Sequence, residues 1–166
     1  WLHRSLEALN DSLDGKLWVL QGDASEVIPA FAAEHDVTSV HWNRGYEPWR
    51  IARDKRIKQS LIDAGVAVQS HAGTLLWEPW HNLKKDGTPY KVFTPYYRNG
   101  LATQPAPVPA GAVNSAELSA ALFDCAQPKT KIDSLALLPA INWHESMLSH
   151  WTPGEAGAQS QLANFL

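Results

Sequence analysis

Leu2, Leu6, Leu9 and Leu13 recur at steps of four, three and four, which draws one apolar stripe along an opening helix that Asp14-Gly15 terminates. Leu17-Trp18-Val19-Leu20 is a short apolar run that reads as a strand, and Gly22-Asp23 turns it into a helix with Asp23 and Glu26 spaced as a capping box. Val27, Ile28, Phe31 and Ala32 give that helix an inward face to about His35. Val37 to Trp42 then reads as a second strand. A third cycle starts at Glu47, carries Ile51, Ile57, Leu61 and Ile62 on a helix, stops at Gly65 and continues into the strand Val66-Ala67-Val68-Gln69-Ser70. Strands alternating with helices at this length predict an α/β domain with a parallel sheet, right-handed crossovers and helices on both faces. Ligands of such sheets sit beyond the carboxyl ends of the strands.

The rhythm fails after His71. Trp77-Glu78-Pro79-Trp80 and the polar turn Lys85-Asp86-Gly87-Thr88-Pro89 follow in quick succession, and Thr94-Pro95 is placed as N-cap and first residue of a helix. Irregular stretches of this kind are where sites are often carried. Gln104 to Gly111 holds three prolines among small residues and reads as a semi-extended connector, with a short helix after it from Ser115 to Phe123. Thr152 as cap, Pro153 at the first position and Glu155 at the third predict a last helix from Ala156 onward.

A chain of 166 residues that is 45% hydrophobic can bury one core, and a second full domain does not fit. With a net charge of −3, nothing global draws it to nucleic acid or to an acidic membrane surface. Cys125 is the single cysteine, so no intrachain disulfide forms, and a reducing, cytoplasmic home is the expectation. No apolar run has bilayer-spanning length and no leader pattern is present. The seven histidines include no HExxH and no pair spaced like a zinc ligand set, so no metal is expected; GxSxG and GxxxxGK[ST] are absent too. The chain opens at Trp1 inside one helical pattern and stops at Leu166 inside another, which suggests cut ends.

The most informative stretch is His41 to Arg50, because it gathers polar and aromatic side chains at the strand-to-helix corner where a parallel sheet offers a crevice. Glu47, Arg50 and Asp54 are spaced to form a ladder on one helix face, and by spacing alone this is a solvated network whose exposed pairs each contribute under about 1 kcal/mol. Arg50, Arg53, Lys55, Arg56 and Lys58 form a basic run that Asp54 interrupts, and it too reads as a solvated face.

The wording of the stretch is more specific than its spacing. HWNRGYEPWRIARD, at 41–54, resembles the block that follows a central strand in the DNA photolyase and cryptochrome family; PYKVFTPYYR, at 89–98, resembles a second block; LLPAINWHESMLSHWTPGE, at 137–155, is similar to the connector into the family's helical flavin domain. Together, in order, the three blocks span the chain from 41 to 155.

The resemblance implies a Rossmann-like three-layer α/β/α antenna-binding domain over 1–103, an extended interdomain connector over 104–151, and the start of a helical FAD-binding domain over 152–166. The family's opening strand with its Arg-Asp-Leu-Arg block has no counterpart, which leaves the expected sheet one strand short. It further implies that the parent binds FAD in that helical domain and uses blue or near-UV light to split pyrimidine dimers in damaged DNA. The N-terminal domain of the family hosts an antenna chromophore, a folate, a deazaflavin or FMN. Folate-binding members can show an Asn-Glu pair before the Tyr-Lys-Val-Phe block, and no such pair stands near Lys85 to Pro89. The implied pocket lies between Asn43, Arg44, Tyr46 and Glu47 on one side and Trp77, Glu78 and Gly87 on the other, where a ring stacks on an aromatic while Arg or Glu meets its polar edge. No residue is assigned a catalytic role.

Eight tryptophans suggest the family's electron-relay chain, but that chain belongs to the helical domain, and here they read as large apolar anchors. Three other readings stand beside the repair enzyme. They are the same domain of a cryptochrome photoreceptor, an unrelated α/β domain that binds a plain adenine nucleotide, and a domain that binds nothing by itself.

Overall fold

The structure is a computed structural model that describes residues 1–105, 115–122 and 130–166. The chain divides into two compact units, Gly22–Ala110 and a second made of Trp1–Gln21 with Gly111–Leu166.

In the first unit, helix α2 (Ala24–Glu34) begins where the Asp23 carboxylate accepts a hydrogen bond from the Ser25 amide at 2.8 Å. Half of the expected capping box is thus formed, and it bonds the second helical residue rather than the third. Strand β1 (Ser39–Asn43) leads to helix α3 (Pro48–Asp63), which has Pro48 at its first position, where a missing N–H costs nothing. Helix α3 closes as the sequence predicts. Gly65 takes a φ of +80°, its amide bonds Ile62 O, and the Val66 amide bonds Leu61 O, a Schellman ending that only a residue tolerant of positive φ completes readily. Strand β2 (Ala67–His71) pairs in parallel with β1, Ser39 opposite Ala67 and Asn43 opposite His71.

The core is part of the set that periodicity picks out, Ile51 and Ile62 of that set being exposed. Ala32 of α2 meets Ile57 and Leu61 of α3, all at most 3% exposed, with Ile28, Val37, Val40, Trp42, Val66 and Val68 packed around them. Val40, Trp42 and Val68 face the helices, while Ser39, His41, Asn43, Ala67, Gln69 and His71 are exposed, the period-two alternation of a strand. Helix α4 (Phe93–Thr103) follows an irregular loop and begins earlier than Thr94-Pro95 suggests. Val92 is its N-cap, and Pro95 falls third in the first turn, where amides still lack helical partners.

The second unit holds α1 (Leu2–Ser12), α5 (Ser115–Ala121), a 3₁₀ turn (Ile132–Leu135), α6 (Glu145–Leu148) and α7 (Glu155–Phe165). Asp14 and Gly15 end α1 with positive φ, as their order predicts. Two expectations are corrected here. Leu17 to Leu20 is not a strand of the parallel sheet, which has two strands among the described residues; Val19 makes one antiparallel bridge with Thr130. An apolar run signals burial, and its pairing partner is set elsewhere in the chain. Helix α7 is capped by Gly154 at φ +101°, not by Thr152. The Thr152 carbonyl instead lies against Gly157, where a Cβ would come within 2.0 Å of it. Cys125 and most of the proline-rich connector lie outside the described residues, and no described helix is long and apolar enough to cross a membrane.

Candidate functional site

The chain leaves β1 at Asn43, and the next four residues turn the corner into α3. The Arg44 amide bonds His71 O at 3.0 Å, so the corner continues the β1–β2 pairing by one residue and aims the Arg44 side chain back over β2. There its Nη1 donates to Ser70 O at 2.5 Å and to Ser70 Oγ at 3.3 Å. Its Nε donates to Glu78 Oε1 at 3.0 Å, and Nη2 reaches the same oxygen. The Tyr46 hydroxyl donates to the other oxygen, Glu78 Oε2, at 2.7 Å. A carboxylate has acceptors only, and this one is filled by three donors from two side chains.

Burial makes that arrangement matter. The Glu78 side chain is 8% exposed and that of Arg44 29%. Burial alone pushes the Glu78 carboxyl up, but the hydrogen bonds from Tyr46 and Arg44 outweigh it and hold the group below its ordinary value. Burial, reinforced by the bond to Glu78, raises the Tyr46 phenol, and the bond to Glu78 raises Arg44 further. At neutral pH the trio is therefore guanidinium, carboxylate and neutral phenol.

One rim of the trio is aromatic. The Arg44 guanidinium lies 5.7 Å from the Trp80 ring centroid, and the Tyr46 and Trp80 rings are 6.4 Å apart, tilted by 42°. Trp42, Arg44, Tyr46 and Trp80 line a cleft of about 340 Å³ whose far wall is the α3 face carrying Ile51, Asp54, Lys55 and Lys58. That volume lies within the roughly 300–1,000 Å³ typical of small-molecule sites. Aromatic rings beside a helix face that carries two lysines suit a flat ring system with a polar or anionic edge.

The structure brings together Arg44, Tyr46 and Glu78 from the sequence-derived set. Asn43 stands at the end of β1 with its side chain resting on Gly73, where any Cβ would come within 2.4 Å of Asn43 Cγ. Glu47 caps α3 without a side-chain cap bond, pairs with Arg50 Nε at 3.5 Å and borders a neighbouring hollow with Gly45 and Thr74. Trp77 turns the other way, against Gly100 of α4 and the rings of Tyr96 and Tyr97 at 5.8 and 6.2 Å. Gly87 forms a turn at φ +78°, closed by its amide on Lys84 O. Trp80, Ser70, Lys55 and Lys58 were not in that set. Trp80 follows Glu78 by two residues, and that spacing was the available signal; the two lysines face the cleft only because the loop after β2 returns to that side of α3.

The chain matches the DNA photolyase family model over residues 1–113. It is 38% identical over 171 residues to the deoxyribodipyrimidine photo-lyase of Agrobacterium fabrum, an alignment covering 100% of this chain and 35% of that protein. Cryptochrome-2 of Arabidopsis thaliana is 25% identical over 175 residues, covering 100% of this chain and 28% of that protein. The fold is similar to a crystal structure of a bacterial class III photolyase from Agrobacterium tumefaciens, with a TM-score of 0.81 at 34% identity over 99% of this chain and 34% of that one. The chain thus spans about a third of the length of the photolyases it matches.

Proposed function

The chain belongs to the DNA photolyase family and corresponds to the N-terminal α/β part of its members, and from that premise we propose that it is the antenna-chromophore domain of a deoxyribodipyrimidine photolyase. The observation that carries the reading is the Arg44–Glu78–Tyr46 trio, built on the buried Glu78 beside the Trp80 face and set at the carboxyl end of β1. Glu78 fixes the guanidinium in place; Trp80 and Tyr46 offer ring faces; Lys55 and Lys58 offer charge to the polar edge of a folate, a deazaflavin or FMN. Asn43, Glu47, Trp77 and Gly87 support this corner from around it, as end of strand, helix cap, packing anchor and turn. A bound antenna supplies absorption of near-UV or blue light and passes the excitation to FAD.

The full-length protein is then a cytoplasmic enzyme in which residues 1–103 form the antenna domain, 104–151 connect, and the helical FAD-binding domain begins near residue 152. Its substrate is the cyclobutane pyrimidine dimer in damaged DNA. A cryptochrome photoreceptor is the second reading, favoured by the match to Cryptochrome-2 along the whole chain, but at 25% identity against 38% for the photolyase. The unrelated adenine-nucleotide domain is set aside by family membership. The test uses full-length protein. A second chromophore released alongside FAD on denaturation, together with loss of dimers from irradiated oligonucleotide, is the expected result. Loss of neither chromophore nor dimer would overturn it, and an antenna without dimer repair would move the protein to the photoreceptors.

A further inference from the structure

In the unit formed by Trp1–Gln21 and Gly111–Leu166, one histidine is held in an unusual setting. His3 is 3% exposed although it stands on the first turn of α1. Its Nε2 faces Glu7 Oε1 at 3.2 Å and Asp133 Oδ1 at 3.5 Å. We propose that His3, Glu7 and Asp133 form a binding site for a divalent cation of the zinc class, with water in the remaining position.

Three features carry the assignment. The first is geometry. An ion about 2.0–2.2 Å from each of its tetrahedral ligands needs those ligands roughly 3.3–3.6 Å apart. Of the two distances from His3 Nε2, the one to Asp133 falls inside that span and the one to Glu7 just below it, and all three ligand atoms lie within 4.8 Å of one another, close enough for a small movement of the exposed Asp133 to close the set. His3 and Glu7 are four apart on α1, so one helix face presents both, and the 3₁₀ turn Ile132–Leu135 brings Asp133 across.

The second feature is the donor set. An imidazole nitrogen with two carboxylates supplies two negative charges, which balances a divalent ion, and the mixed N/O set is one that zinc accepts. Arg4 Nη1 holds the other Glu7 oxygen, Oε2, at 2.8 Å, which leaves Oε1 turned to His3. The hydrogen bond from Arg4 also keeps the Glu7 carboxyl below its ordinary value, so it is ionised. An ion would lie between Nε2 and the two carboxylates it faces, with the ring proton on Nδ1. That nitrogen is buried and has no hydrogen-bond partner among the described residues.

The third feature is access. Asp133 is 86% exposed, so the site opens to solvent on one side while the imidazole is fixed on the other. Spacing rules miss this set because its third ligand comes from far along the chain, and no pair in it matches a known motif.

The experiment is Zn²⁺ titration by calorimetry into chelator-stripped full-length protein, with anomalous diffraction at the zinc edge locating the ion. One equivalent is expected to bind at His3, with affinity falling at least about tenfold in Asp133→Asn and lost in His3→Gln. Asp133→Asn changes an exposed side chain, so its result does not depend on refolding around a buried ring. His41→Ala is the control, because His41 Nδ1 and His71 Nε2 stand 3.1 Å apart and form the other imidazole cluster. Absence of stoichiometric binding, unchanged affinity in Asp133→Asn, or loss of binding in His41→Ala would each overturn the assignment.

Discussion

Glu47 and Glu78 flank the same corner, and each faces an arginine, yet they do different work. Glu47 is half exposed, 3.5 Å from Arg50, and an alanine there would leave water in its place. Glu78 is buried, takes three donors and fixes Arg44 over the end of β2. Sequence spacing favours Glu47, because Glu47, Arg50 and Asp54 make a helical ladder. Structure favours Glu78, which no spacing rule connects to Arg44. An ion pair organises a site when its desolvation is matched by a full set of hydrogen bonds, and surface ladders never meet that condition.

The sharpest way to break the comparison is Glu78→Gln, which leaves Arg44 half-buried without its counter-charge and is expected to lower stability by about 3 kcal/mol, read as a shift in denaturant midpoint. The same variant should lose part of the acid sensitivity of the fold. Because the Glu78 carboxyl is held below its ordinary 4.5, the stability it contributes is present above that pH and drains away as the pH falls through its depressed folded value. A Gln variant with an unchanged acid limb would remove Glu78 from the account. Gly100→Ala should cost about 2 kcal/mol, since a Cβ there meets the Trp77 ring at 2.2 to 2.6 Å, and it should leave the cleft intact, separating the packing role of Trp77 from the site role of its neighbour. Tyr46→Phe removes one 2.7 Å bond to a buried carboxylate and should cost about 1 kcal/mol. Glu47→Ala should stay within about 0.5 kcal/mol.

Much of the fold was open to sequence reasoning because it follows local rules. Ile57 and Leu61 lie one turn apart and fill the core, Gly65 sits where a left-handed residue must follow a helix, and Asp14-Gly15 stops α1. Leu17 to Leu20 escaped those rules, since four apolar residues say that the segment is covered and not by what. Its bridge to Thr130 depends on chain far away. The candidate site divides in the same manner. Arg44, Tyr46 and Glu78 were reached through the wording of the motif and the Trp-Glu-Pro-Trp run, whereas Lys55 and Lys58, which look like a solvated basic face, become a cleft wall only once Trp80 stands opposite them. The residues His3, Glu7 and Asp133 were legible nowhere in the sequence, because two are a helical pair of ordinary appearance and the third is set by tertiary packing.

Trp80→Ala is the variant that tests the central claim most directly, because Trp80 is 53% exposed and its removal leaves the Arg44–Glu78–Tyr46 trio bonded. The measurement is the ratio of released antenna chromophore to released FAD in full-length protein, compared with Glu47→Ala. The cleft reading predicts that Trp80→Ala loses most of its antenna while keeping FAD, and that Glu47→Ala keeps both. Equal antenna retention in the two variants would contradict it.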